Sequence, residues 1–146
     1  MLRRDLLTLA CVTMPTVLVP GPAPAAVPPD SAKVVYHLSD LDKVEFVLGN
    51  IGNHFDGMGG PEKVRIALVV HGPALKAFHA AGASPAVSQH LAALVQSGLT
   101  PDACIHTMRA QEVALKDLLP GFGVAENGGV VRLAELQGQG FVYLRP

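Results

Sequence analysis

Cys104 stands in the run TPDACIHTMRAQEV (Thr100–Val113), two residues before His106 and five before Arg109. A thiol becomes a nucleophile as its thiolate, and placement just ahead of a helix, facing the positive end of its dipole, favours that form. If the backbone stays extended from Cys104 to His106, the two side chains share a face. His106 can then hold a proton near the sulfur, and Arg109 adds positive charge one helical turn later. The competing reading is a small, inert, buried hydrophobe. His37 and His71 complete the set of chemically able residues, and with Cys104 and His106 they are ligand types that suit copper or zinc. No pair among them has a finger-like spacing, so metal binding is a second reading, and a non-catalytic oligomeric scaffold is a third. His54, His79 and His90 fall in expected helices and read as solvated or partly packed surface residues.

The elements that must position these residues follow from the apolar pattern. Lys33–Leu38 (KVVYHL) is rich in β-branched and aromatic residues and predicts a strand. Leu41, Val44, Leu48, Ile51 and Phe55 recur at spacings of 3 and 4, one face of a helix capped by Ser39 or Asp40 and ended by glycines from Gly57. Val64–Val70 (VRIALVV) is almost continuously apolar, as a strand covered on both faces must be. His71-Gly72-Pro73 turns into a short helix reaching Ala81. Another helix starts at Ser84-Pro85, with Val87, Leu91 and Leu94 inward and Gly98 as its stop. Leu99–Cys104 is a third strand despite Pro101 and Asp102, and a helix follows from about Thr107. A short fourth strand comes after LLPGFG (Leu118–Gly123), then a helix over Val130–Leu136 and a last strand at Phe141–Leu144.

Strands alternating with helices imply a three-layer α/β/α fold around a mainly parallel five-stranded sheet, flavodoxin-like in type. Ligands of such sheets bind outside the carboxyl ends of the strands. His37 closes the first strand, His71 the second, and Cys104 with His106 the third. Gly72, Thr107 and Arg109 border the same cleft.

The first 25 residues read differently. Arg3 and Arg4 precede an apolar stretch from Leu6 to Val19, then prolines and an A-x-A-like cleavage site at Ala23-Pro24-Ala25. The paired arginines resemble a twin-arginine export signal, with the general secretory route as the alternative. A spanning helix needs about 20 apolar residues, and Pro15 interrupts this shorter stretch. The expectation is a signal peptide over 1–25, a linker over 26–32, a domain over 33–146 and a periplasmic protein without a membrane anchor. Cleavage removes two of 11 basic and one of 12 acidic residues, leaving 9 against 11 and a charge of −2. Nothing basic is concentrated enough to track phosphates, so nucleic acid is not a partner. Cleavage also removes Cys11, so Cys104 has no partner for an internal disulfide in an oxidising compartment. The full chain is 49% hydrophobic and only 16% charged, against roughly 25% charged in typical domains. Part of that apolar surplus is expected to meet another subunit.

Several patches together resemble one family. VVYHLSD (Val34–Asp40), VVHGPAL (Val69–Leu75), ACIHTM (Ala103–Met108), DLLPG (Asp117–Gly121) and GFVYLRP (Gly140–Pro146) are similar to the DsrE/DsrF-like family, over Lys33 to the C-terminus. The resemblance is to its exported, single-cysteine branch. It implies a doubly wound α/β fold and homo- or hetero-oligomers, with a homotrimer favoured. It also implies a cysteine that accepts sulfane sulfur as a persulfide and passes it on, a sulfurtransferase-like role with no cofactor. Cys104 occupies that cysteine's position, with His106 to tune the thiol. The partners are then a sulfur donor or acceptor protein, or a small persulfide or polysulfide. His106 stands where such relatives often have asparagine, and His37 where they have glutamine.

Overall fold

The computed structural model describes residues 31–146, so the expected signal peptide and most of the linker lie outside the described residues. Five strands, β1 (Ala32–Leu38), β2 (Val64–Val70), β3 (Thr100–Cys104), β4 (Gly123–Ala125) and β5 (Val142–Leu144), form one all-parallel sheet in the order β4-β3-β2-β1-β5. Four α-helices connect them: α1 (Val44–Gly57), α2 (Pro85–Gln96), α3 (Ile105–Ala110) and α4 (Gly129–Gly138). The α/β fold class expected from the alternation is the one observed. Among the described residues, no helix is long and apolar enough to cross a membrane.

Alternate residues of the strands feed two cores. Val34, Tyr36, Leu38, Ile66, Leu68 and Val70 pack with α1, α2 and Met108 of α3 on one face. Val35, Ala67 and Val69 pack with Leu133 and Leu136 of α4 on the other. The continuous apolar runs of β1 and β2 follow from this two-sided burial. α1 buries Val44, Val47, Leu48, Ile51 and Phe55, whereas Leu41 falls in a preceding 3-10 turn and is exposed. The helix expected after His71 is a 3-10 segment, Gly72–Phe78. α2 begins where Ser84 Oγ accepts the Val87 N–H at 3.1 Å, with Pro85 in the first turn.

Pro101 sits within a strand that has neighbours on both sides, a place where proline is unusual. The pairing register explains its tolerance. β2 faces β3 from Thr100, but β4 joins only from Asp102 onward, so Pro101 still has one open side.

The connections settle where a ligand would sit. The loops leaving β1, β2 and β3 lead to helices on the first face, whereas the loop leaving β4 leads to α4 on the second. The carboxyl ends of β3 and β4 therefore open in opposite directions, which makes a crevice between them. Cys104 is the last residue of β3.

Candidate functional site

Cys104 lies at the floor of that crevice, with only 6% of its surface exposed. α3 starts at the next residue, two positions earlier than the sequence pattern indicates. His106 is consequently helical, and the extended geometry that would set its ring beside the sulfur on one strand face is not formed. Its ring is exposed and packs against Gly128, whose Cβ, if present, would lie 2.9 Å from His106 Cδ2. Gly128 also has φ +99°, a conformation that side chains other than glycine rarely adopt.

The sulfur is instead held by backbone. Burial pushes the Cys104 thiol up, but the N–H groups of Thr107, Gly129 and His106 and the Thr107 hydroxyl, beside it at the starts of α3 and α4, pull it down. These donors prevail and hold its pKa below the ordinary cysteine value. Two helix starts, α3 and α4, converge on one sulfur, so both dipoles favour the thiolate. Thr107 Oγ1 also accepts the Gly72 N–H at 2.9 Å, and Gln111 Nε2 donates to the Gly72 carbonyl at 2.9 Å. Gly72 therefore fixes the rotamer of the threonine that serves the sulfur. Arg109 is exposed in the last turn of α3 and does not line the cleft.

Gly129 makes this convergence possible. A Cβ there would lie 3.3 Å from Cys104 Cβ, 3.4 Å from His71 Cβ and 3.4 Å from Val69 Cγ1. Without one, the first turn of α4 comes close enough to donate its N–H to the sulfur. The cavity above Cys104 has a volume of about 240 Å³ and is lined by His71, His106, Asn127 and Val130 among others.

His37 and His71 are brought together, though not around the sulfur. Their Nε2 atoms hydrogen-bond to each other, and His37 Nδ1 bonds to Tyr143 Oη at 2.6 Å. Burial lowers the pKa of His37 to about 4, helped by His71 and Arg145 and opposed by Asp40. Burial also lowers that of His71, with Arg145 helping and Asp40 opposing. Both rings are held neutral. The metal alternative fares poorly: among the described residues no three His, Cys, Asp or Glu side chains group to hold an ion. His37 and His71 spend their facing nitrogens on one another, and the His106 ring packs against Gly128 at the cavity wall.

His54 and His79 are better anchored than surface residues. His54 Nδ1 bonds to Tyr36 Oη at 2.9 Å, and His79, just past the 3-10 segment, bonds to Gln111 at 2.8 Å. Gly129 and Tyr143 were not legible as site residues. The glycine pair ahead of the apolar run at Val130 was the one available signal for the first.

No family model and no curated protein matches the chain. Solved structures do. It is similar to a protein of unknown function from Methanobacterium thermoautotrophicum, at 26% identity and TM-score 0.70, covering 79% of this chain and 99% of that one. It is similar to the YchN protein from E. coli at 14% identity and TM-score 0.61, covering 80% and 99%. A conserved protein of unknown function from Bacteroides thetaiotaomicron follows at 19% identity and TM-score 0.55, covering 78% and 94%. The shared feature is a DsrE-like α/β fold.

Proposed function

We propose that the chain is a periplasmic sulfur carrier in which Cys104 takes up sulfane sulfur as a persulfide and surrenders it to an external thiol. The observation that carries this reading is the convergence of the starts of α3 and α4, by way of Gly129, on a buried sulfur. An inert core cysteine has no need of such a convergence. Thiolate Sγ attacks the outer sulfur of a hydropersulfide or polysulfide, a new S–S bond forms, and the old S–S bond breaks with its electrons on the leaving sulfur. The donors that stabilise the thiolate then stabilise Cys104 as the leaving group when an acceptor thiolate attacks. Cys104 is the free cysteine of the described residues, so an acceptor outside the domain completes the cycle. Incubating the mature protein with inorganic polysulfide should add sulfur to Cys104 in the mass spectrum. An unmodified protein, or equal modification of Cys104→Ser, defeats the proposal.

Assembly belongs to the same reading. Val130 and Val131, on the first turn of α4 at the cavity rim, are 70% and 45% exposed, and Val142 on the β5 edge is 60% exposed. A homo-oligomer covering Val130 and Val131 would shelter a persulfide from bulk oxidants, and the family resemblance favours a trimer. Light scattering at micromolar concentration should give a mass of several chains, reduced in a Val130→Lys variant. A single-chain mass that does not change on concentration would mean that one subunit builds the cleft alone.

A further inference from the structure

The hydrogen-bonded series Tyr143–His37–His71 runs from the sheet edge to the wall of the Cys104 cavity, and we propose that it is a proton wire serving the sulfur leaving group. The proposal rests on the sulfur-exchange reading of Cys104 and adds to it the source of the proton. His71 is a lining residue of the cavity. A Cβ on Gly129 would lie 3.3 Å from Cys104 Cβ and 3.4 Å from His71 Cβ, so those two atoms are at most about 6.7 Å apart, the distances added. The His37 and His71 rings are nearly coplanar, at 18°, with centroids 4.7 Å apart and Nε2 facing Nε2. That is an end-on hydrogen bond in the ring plane, where the N–H and the lone pair lie. Tyr143 is 37% exposed on the edge strand, which gives the wire an outer end in water.

Each member can donate and accept, so the chain has two directional states. In the first, Tyr143 O–H donates to His37 Nδ1, His37 Nε2–H donates to His71 Nε2, and His71 carries its own single ring proton on Nδ1. Among the described residues that Nδ1 meets no protein partner, and it is not a buried atom lacking one, so it is the open end of the series. When thiolate Sγ attacks a disulfide or persulfide, the Sγ–S bond forms and the old S–S bond breaks with its electron pair on the departing sulfur. The departing thiolate takes the Nδ1 proton. His71 Nε2 takes the proton of His37 Nε2, His37 Nδ1 takes that of Tyr143, and Tyr143 takes one from water. The wire ends reversed, with both imidazoles neutral throughout.

This fits a site that resists imidazolium. The charged groups facing the pair are Arg145, which opposes protonation, and Asp40, which favours it, and these two pair with each other at 3.5 Å. From α3, His106 faces the same cavity as His71. A lone histidine here would have to be charged to serve as an acid, whereas a neutral pair in series need not be. His71 is thus a catalytic residue of the exchange, and His37 and Tyr143 position and resupply it.

Two small probes separate the wire from the thiolate. 2-Hydroxyethyl disulfide releases an alkyl thiolate that needs a proton, and iodoacetamide releases iodide, which does not. At pH 7, Tyr143→Phe and His71→Asn should each slow the disulfide reaction about tenfold or more, within the range of general acid catalysis. Their iodoacetamide rates should stay within about twofold of the unaltered protein, which is the span of a small change in thiolate fraction. Equal slowing with both probes would mean that these residues act only on the thiolate, and no slowing with either would mean that water supplies the proton. Either result overturns the wire. Because neither probe carries sulfane sulfur, a failed polysulfide experiment would remove the sulfur-carrier reading and leave this result standing.

Discussion

Gly129→Val is expected to slow alkylation of Cys104 by iodoacetamide at pH 7 by about tenfold or more, and to lower the stability of the domain as well. The new Cβ would meet Cys104 Cβ at 3.3 Å and His71 Cβ and Val69 Cγ1 at 3.4 Å. None of those three atoms is the free end of a flexible side chain. Val69 is fully buried between two strands, and Cys104 is fixed by β3, so α4 must withdraw. Overpacking of this kind costs about 1–3 kcal/mol. Withdrawal also takes the Gly129 N–H away from the sulfur. A hydrogen bond to a charged group is worth about 1.5–3 kcal/mol, which is one or more pKa units and at least a factor of about ten in thiolate below the pKa. The rate loss should be recovered at high pH, where the thiol ionises without help, while the stability loss is not. A variant that alkylates normally at pH 7 would show that the α4 start does not tune the sulfur.

That glycine illustrates what local pattern conveys and what it does not. β2 was readable to the residue because six of its seven positions are apolar and buried, with only Arg65 exposed, and Pro85 and Gly98 bracketed α2 by their backbone preferences alone. The placement of Cys104, His37 and His71 at strand ends was also legible, since strands set the order in which side chains reach the rim. The start of α3 was not. Its N-cap is Cys104 itself, with no side-chain cap, and Ile105 favours strand as readily as helix. That two-residue difference puts His106 on a helix, with its ring against Gly128 at the cavity wall rather than beside the sulfur. Tyr143 is invisible for a different reason. Its meeting with His37 depends on the β1–β5 register, in which Val35 faces Tyr143 across more than a hundred residues. Strand order goes with α4 packing on one face of the sheet while α1–α3 pack on the other, and no single segment encodes it.

The buried histidine pair also makes the stability of the domain sensitive to acid. In the unfolded chain His37 has the ordinary value near 6.5, and in the fold it is lowered to about 4, while His71 is lowered too. Between those values the unfolded state binds more protons than the folded one, so stability falls as pH falls. The contribution is fully present above about 6.5, declines as the pH drops towards 4, and is gone below the folded value. The cause is geometric: two rings with Nε2 facing Nε2 share one proton, and a second there would set two N–H groups against each other and place an imidazolium beside Arg145. Thermal unfolding of the described domain followed from pH 7 to pH 4 should therefore show a falling midpoint. The slope of one protein alone does not identify the pair. In a His37→Asn, His71→Asn double variant the slope between pH 6.5 and 4 should be visibly shallower, even if the variant is less stable at pH 7. Parallel slopes would mean that the pair admits its second proton without penalty, by opening the contact at Tyr143 and letting water in.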